Sequence, residues 1–270
     1  MSRLDQCFKA LKDSKQKALV PFITAGDPSA DFTLNCMHEM VKAGASIIEL
    51  GVPFSDPMAD GPVIQRASER ALAKGMSLRG VIEIVRTFRE TDQTTPVILM
   101  GYLNPIEFMG YETFASAAAQ AGVDGVLTVD IPPEESADLI EAYDRHGLAP
   151  IFLLSPTSHE NRIKKVSAVA KGYIYYVSLK GVTGAGHLEL GDIETKIKEI
   201  KQHASLPIAI GFGVKNAEIA ANIAKIGDAV VVGSALINCI TDHLDNQAQG
   251  QQGVSSLLSE MRTAMDAVTQ

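Results

Sequence analysis

Two carboxylates in the first part of the chain are placed where they could transfer protons. Glu49 stands near the end of the apolar run IIEL, and Asp60 follows in a loop, just before a Gly-Pro pair. Because side chains alternate along a strand, Glu49 would point into the interior of a barrel together with Ile47. Burial raises the pKa of a carboxyl group and suits it to acid–base chemistry near neutral pH. Glu49 is therefore a candidate general acid/base; the alternative is a structural glutamate held by neighbouring donors.

The segment GVPFSDPMADGP carries Asp60 on a stiff loop. Its prolines fix φ and remove backbone donors, so the segment fits neither a helix nor a strand. Asp60 stands at the expected N-cap of the next helix, which makes it either a plain cap or a second functional carboxylate. Asp56, in the turn SDP, is expected to form a turn or a surface contact rather than to act in catalysis.

Glycine-rich turns follow three apolar runs in the second half of the chain, in the sequences SLKGVTGAGH, GFGVKN and GSALIN. Glycine lets backbone amides approach an anion, and the helix that follows presents a positive dipole end. With the hydroxyl of Ser234 as a further donor, these turns predict a phosphate site. Glycine at such turns can also serve only to relieve steric crowding, and this interpretation stays open.

Other kinds of catalytic centre receive less support from the sequence. The six histidines form no cluster and the three cysteines are widely spaced, which argues against a metal site and against a Ser-His-Asp triad. We therefore predict no metal. Lys180 lies in the first of the glycine-rich turns and could form a Schiff base, so an aldolase of that type is an alternative. A flexible surface cation is the plainer interpretation of Lys180.

The elements that would position these residues follow one repeated pattern, in which a helix ends at glycine and a short apolar run follows. Runs of this kind alternate with helical patterns and predict parallel strands near residues 19–24, 46–50, 96–100, 125–129, 149–154, 174–178, 207–211 and 229–233. This order matches an α/β fold of the (β/α)₈ TIM-barrel type, as a single domain over residues 1–270. A doubly wound sheet is the alternative, but the first turn, ITAGDPSADF, lacks the GxGxxG fingerprint of that fold.

Three segments depart from the simple repeat. The N-terminus predicts a short helix docked on the body, with Leu4 and Leu11 on its apolar face. Residues 62–92 hold two helical patterns, which predicts an extra helix in the crossover after strand 2. Residues 243–256 are polar and rich in glutamine and glycine, and we interpret them as a loop before a final extra helix after strand 8.

The composition is that of a globular protein, with 46% hydrophobic and 21% charged residues. A formal net charge of -8 argues against general binding to nucleic acid or to anionic membranes. The sequence contains no apolar run long enough to span a bilayer and no signal peptide, and its cysteine usage is typical of reduced thiols. We expect a cytoplasmic protein.

Apolar and aromatic residues of the predicted strands would form the floor of a pocket at the functional end of the barrel. These residues are Phe22, Met100, Tyr102, Leu127, Val129, Leu153, Tyr175 and Phe212. Most such residues belong simply to the core of a barrel. Tyr102 and Phe212 come just past strand ends, where they could flank a flat ring.

Together these residues resemble the tryptophan synthase alpha subunit family over nearly the whole chain. The most specific segment is IELGVPFSDPMADGPVIQ, supported by PFITAGDP, MGYLNPIEFMG, VDIPPEE, SLKGVTGAG and GFGV. The resemblance implies a lyase of tryptophan biosynthesis that cleaves indole-3-glycerol phosphate to indole and glyceraldehyde 3-phosphate, without a metal or an organic cofactor. A non-catalytic module that binds a phosphorylated ligand is a further alternative, but a pure binding site would gain nothing from two buried acids.

The resemblance also implies roles for single residues. Glu49 would be the general acid/base, Asp60 would face the indole N–H, Tyr175 would line the reacting centre, and Thr183 would orient Asp60 when its loop closes. The remaining residues fall into an indole pocket and a phosphate site. These are Phe22, Met100, Tyr102, Leu127, Val129, Leu153 and Phe212 for the pocket, and Gly184, Gly213, Gly233 and Ser234 for the phosphate.

The partner that the resemblance implies is a tryptophan synthase beta subunit, in an alpha2beta2 tetramer in which the beta subunit receives the indole. Loops after strands 2 and 3 carry proline and apolar residues that would leave an apolar rim around the pocket mouth. Such a rim is typical of an interaction site. The expected contact residues are Pro53, Asp56, Pro57 and Phe108.

Overall fold

Eight parallel strands close into a barrel in the computed structural model, which describes residues 1–177, 188–211 and 213–269. Each strand pairs with the next along the chain, and the last pairs with the first. The strands are β1 (Ala18–Thr24), β2 (Ile48–Gly51), β3 (Val97–Gly101), β4 (Gly125–Thr128), β5 (Ala149–Leu154), β6 (Ile174–Val177), β7 (Ile208–Gly211) and β8 (Ala229–Val232). The predicted TIM barrel is confirmed.

Helices lie between the strands and at both ends of the chain. They are α1 (Arg3–Asp13), α2 (Ala30–Lys42), α3 (Pro62–Ala73), α4 (Leu78–Phe88), α5 (Leu103–Met109), α6 (Tyr111–Ala121), α7 (Ala137–His146), α8 (Glu160–Val169), α9 (Leu188–Lys201), α10 (Ala217–Ala224), α11 (Ser234–Thr241) and α12 (Gln247–Thr269). Two helices, α3 and α4, fill the crossover after β2, and two more follow β8. The predicted extra helices are therefore confirmed.

The strand side chains divide between two cores, as alternation along a strand requires. In β1, Leu19 and Ile23 face the helices and belong to the large outer core. Ala18 and Val20 point inward and belong to a second core that fills the barrel. Because both faces of every strand are covered, the runs are almost wholly apolar, which is the property that made them visible in the sequence.

The N-terminal helix α1 closes the end of the barrel at which the strands begin. Ser2 caps the helix, and its side chain accepts a hydrogen bond from the amide of Asp5. Leu4 is fully buried against the inner core, and the Arg3 guanidinium donates to Asp124, just before β4, at 3.0 Å. The prediction of a short helix docked on the body is confirmed.

The prediction of a polar loop over residues 243–256 is wrong, because α12 begins at Gln247. Gly250 is buried against α11, where a Cβ atom would lie 3.6 Å from the Cα of Ile240. Glycine thus serves close packing of two helices here instead of forming a turn. From Val254 onward, fully buried apolar residues recur at helical spacing on the same face. Within the described residues, none of the helices is both long and apolar enough to cross a membrane.

Candidate active site

Glu49 lies on the inner face of β2 with no solvent exposure. The hydroxyl of Tyr173 donates a hydrogen bond to its Oε1 at 2.5 Å. Its Oε2 has no hydrogen-bond partner among the residues that the structure describes. Burial raises the pKa of Glu49 to about 7, and the hydrogen bond from Tyr173 opposes this rise. Glu49 can therefore exchange a proton near neutral pH, as the alternation of IIEL indicated.

Tyr173 is a site residue that the sequence analysis missed. Its ring is fully buried in the inner core, and burial together with the charge of Glu49 raises its pKa well above the ordinary value. Tyr173 thus stays protonated and acts as a donor. It lies two positions before Tyr175, which was predicted, so alternation along β6 could have identified both.

Asp60 does not cap the helix that follows it, which excludes the capping alternative. The N-cap of α3 is Gly61, and no side chain forms a capping hydrogen bond there. The Asp60 carboxylate instead accepts a hydrogen bond from the hydroxyl of Tyr102 through Oδ2, at 3.0 Å. The amide of Ala59 donates to the same tyrosine oxygen at 3.0 Å. Burial raises the pKa of Asp60, and the bond from Tyr102 opposes that rise.

A small pocket opens at the ends of β1 to β4 and brings several predicted residues together. Its lining includes Phe22, Met100, Tyr102 and Val129 from the predicted indole pocket, and the second carboxylate, Asp60. The remaining lining residues were not predicted: Thr24, Gly51, Val52, Ile64, Ser68 and Gly101. The pocket thus joins a polar group to apolar and aromatic walls, an arrangement that suits a flat ring bearing one hydrogen-bond donor.

Other predicted pocket residues lie deeper or to one side. Leu127 is fully buried in the inner core, while Leu153 is half-buried and in register with Tyr175. Tyr175 packs so closely over β7 that a Cβ atom on Gly211 would collide with its hydroxyl. The absence of a side chain at Gly211 therefore makes room for Tyr175. Phe212 lies outside the described residues.

Two of the three predicted phosphate turns lie within the described residues, and one of them borders this pocket. Gly213 follows β7 with a φ of 46°, in the left-handed region that favours glycine. Gly233 is the N-cap of α11 and Ser234 is its first residue. A Cβ atom on Gly233 would lie 3.5 Å from the ring of Phe22, so the turn borders the pocket. Gly184, Thr183 and Lys180 lie outside the described residues, as does the loop that was expected to close.

The rim of the pocket mouth is smaller than the sequence suggested. Phe108 on α5 is 95% exposed and Met58 is 82% exposed. Asp56 is also exposed and Pro57 is half-buried, but Pro53 is buried within the chain and does not face solvent. The ring of Phe54, in the same loop, packs on Tyr102 with a centroid distance of 5.2 Å. The loop is thereby linked to the tyrosine that holds Asp60.

Within the described residues, no group of three or more His, Cys, Asp or Glu side chains is arranged to hold a metal ion. The family model of the tryptophan synthase alpha chain matches residues 8–266. The chain belongs to the tryptophan synthase alpha chain family.

Similar proteins agree with this assignment in sequence and in structure. The tryptophan synthase alpha chain of Thioalkalivibrio sulfidiphilus is 59% identical, over 98% of this chain and 100% of the relative. That of Methylococcus capsulatus is 57% identical, over 99% and 100%. The crystal structure of tryptophan synthase subunit alpha from Legionella pneumophila superposes with a TM-score of 0.93 at 46% identity, covering 99% of both chains.

As a member of this family, the protein is a carbon–carbon lyase of tryptophan biosynthesis. It cleaves indole-3-glycerol phosphate to indole and glyceraldehyde 3-phosphate. The family partners a beta subunit in the tryptophan synthase complex. The reaction of this family therefore replaces the two alternative functions, a Schiff-base aldolase and a non-catalytic binding module.

Proposed function

We propose that Glu49 and Asp60 carry the chemistry of the cleavage. The observation that supports this most directly is a fully buried carboxyl group, Glu49, with a pKa raised to about 7 and one oxygen without a partner among the described residues. Such a group is present in both protonation states near neutral pH. It can therefore act first as an acid and then as a base within one turnover.

The proposed sequence of steps balances protons on Glu49. The protonated carboxyl group delivers its proton to the indole ring carbon that carries the glycerol chain. The resulting carboxylate then removes the proton of the adjacent glycerol hydroxyl while the carbon–carbon bond breaks. The hydroxyl carbon becomes the aldehyde of glyceraldehyde 3-phosphate, the bond's electron pair returns to the ring to give indole, and Glu49 ends protonated as it began.

Asp60 has a different task in this proposal. Protonation of the ring carbon places positive charge on the indole nitrogen, and an ionised carboxylate beside the N–H stabilises that charge. Tyr102 supports the ionised state because it donates a hydrogen bond to Oδ2. The aromatic and apolar walls formed by Phe22, Met100 and Val129 exclude water from this contact and so strengthen it.

Glu49 must move to reach the substrate. It is not among the residues that line the small pocket, and its carboxyl group is hydrogen-bonded to Tyr173 in the inner core. Its neighbours in register are Phe22 and Ile98, and Phe22 does line the pocket. We therefore propose that the Glu49 side chain leaves Tyr173 and turns toward the pocket when the substrate binds.

The phosphate of the substrate is proposed to bind at the turns after β7 and β8. The N-terminus of α11, with Gly233 and Ser234, presents backbone amides beside the pocket. Indole leaving the site is proposed to pass to a beta subunit docked over the pocket mouth at Asp56, Pro57 and Phe108, in an alpha2beta2 tetramer. Biosynthesis of an amino acid supports a cytoplasmic location.

An indole-release assay tests the assignment of the two carboxylates. Purified wild-type protein, Glu49→Gln and Asp60→Asn are compared, each alone and with a tryptophan synthase beta subunit. Each substitution should lower the cleavage rate by about 10²–10⁴-fold, which is typical for the loss of a general acid–base group. Cleavage within tenfold of wild type in either folded variant would remove that residue from the mechanism.

A further inference from the structure

Thr24, the last residue of β1, has a buried hydroxyl group that no described residue satisfies. The side chain is 2% exposed, and its Oγ1 has no hydrogen-bond partner in the part of the chain that the structure describes. Leaving a buried polar group unpaired costs about 1–3 kcal/mol. Such an atom is expected to gain its partner in another state of the protein, such as the state with an occupied pocket.

The position of Thr24 directs this hydroxyl toward Asp60. Alternation along β1 puts Thr24 on the inner face with Val20 and Phe22. It pairs in register with Gly51, the residue at which β2 ends and the loop carrying Asp60 begins. Thr24 and Asp60 both line the small pocket.

The carboxylate of Asp60 has room for a second donor. Tyr102 donates to Oδ2, and none of the described residues forms a hydrogen bond with Oδ1. We infer that Thr24 is a positioning residue for Asp60, whose Oδ1 accepts a hydrogen bond from the Thr24 hydroxyl in the ligand-bound protein. This inference rests on the proposed role of Asp60. A carboxylate has about four acceptor sites, so the indole N–H can bind as well.

Two hydroxyl donors would help to keep Asp60 ionised, because burial disfavours its ionised form. The titratable groups facing Asp60 are Tyr102 from the end of β3 and Tyr175 from β6. The charge of Glu49 also raises the pKa of Tyr175. Asp130, after β4, acts on Tyr102. The pocket-lining residues of α3, Ile64 and Ser68, are uncharged. Hydroxyl hydrogen bonds are therefore the main means of keeping this carboxylate ionised.

The test is a direct titration of the Asp60 side chain. Protein labelled with ¹³C at the aspartate carboxyl carbon is titrated by NMR in complex with indole-3-propanol phosphate, which lacks the glycerol hydroxyls and is not cleaved. Asp60→Asn identifies the signal. Thr24→Val, which keeps the shape but removes the hydroxyl, should raise the Asp60 pKa by about one to two units and lower kcat/KM about ten- to hundredfold. Thr24→Ser should restore both values.

Thr128 provides a matched control. It ends β4 and is buried, but it does not line the pocket. Thr128→Val should leave the Asp60 titration and the cleavage rate unchanged. If Thr24→Val does not fold, Thr24→Ala is titrated in its place.

An unchanged Asp60 pKa in the folded Thr24 variant would overturn the inference, and so would an equal change in Thr128→Val. Failure of the proposed function looks different. In that case Asp60→Asn retains full cleavage activity, whatever the titration of Asp60 shows.

Discussion

At the residue scale, Glu49 illustrates how a site can be functional at the expense of stability. The inner core removes the carboxyl group from water, and among the described residues a single hydroxyl, that of Tyr173, donates to it. Desolvation is therefore larger than the stabilisation from the hydrogen bond, and the pKa rises to about 7. The desolvation that raises this pKa suits Glu49 to proton transfer near neutral pH. It also makes the ionised form of Glu49 unfavourable in the folded protein.

A pH-dependent stability follows from this residue. The pKa of Glu49 is about 7 in the folded protein and has an ordinary value of 4.5. The group's contribution to the free energy of unfolding is fully present below the ordinary value and is lost as the pH rises through about 7. Glu49→Gln has no such loss. Between pH 4 and pH 8, its stability relative to wild type should rise by on the order of a few kcal/mol.

Urea denaturation of both proteins at the two pH values measures this change. Glu83→Gln, at an exposed position on α4, is the control and should show no comparable change. A stability difference between Glu49→Gln and wild type that is equal at both pH values would contradict the raised pKa.

At the scale of elements, the turn after β7 allows the effect of a substitution on stability to be distinguished from its effect on phosphate binding. Gly213 adopts a φ of 46°, and alanine there would be strained by about 1–2 kcal/mol. Gly147, the C-cap of α7, also has a positive φ, of 71°, and its Cβ would meet no atom within 4 Å. Alanine at the two positions should therefore lower stability to a similar extent.

Only one of these two variants should affect phosphate binding. Gly213→Ala is expected to weaken binding of glycerol 3-phosphate by about tenfold or more, because the added side chain and the backbone strain disturb the turn. Gly147→Ala should bind as wild type does. Isothermal titration calorimetry decides the question, and equal affinity in the Gly213 variant would place the phosphate elsewhere.

The same scale shows what the sequence could and could not predict. The strands were predictable because both of their faces are buried, which produces short apolar runs, and several of these runs follow a helix that ends at glycine. The start of α12 was not, because Gly250 and the glutamines near it read as a loop until α11 is seen to pack against the helix. At the site, local alternation predicted the inward direction of Glu49. The contact of Glu49 with Tyr173 joins distant parts of the chain, and no local pattern records it.

At the scale of the whole molecule, two exposed apolar side chains stand at the mouth of an otherwise well-buried barrel. Phe108, on α5 after β3, is 95% exposed, and Met58, in the loop after β2, is 82% exposed. Phe108→Ala should weaken association with the beta subunit by about tenfold or more, as expected for an aromatic contact at an interface. Asp56→Ala is expected to weaken it as well. Sedimentation with a purified beta subunit measures both effects.

The melting temperature of the isolated chain should stay unchanged in Phe108→Ala, because the side chain packs on almost nothing within the chain. Val268, near the end of α12, is also partly exposed and supplies the control. Val268→Ala should bind the beta subunit normally. Unchanged association in both Phe108→Ala and Asp56→Ala would move the docking surface away from these loops.

The pairing of β1 with β8 has a consequence for how the chain is made. Ala18 of β1 pairs with Ala229 of β8, so β1 receives its second neighbour only after β8 has been made. Until then one edge of the growing sheet lies open, and an open edge can pair with another chain. A nascent chain of this protein is therefore open to mispairing at the free edge of β1 until β8 has been made.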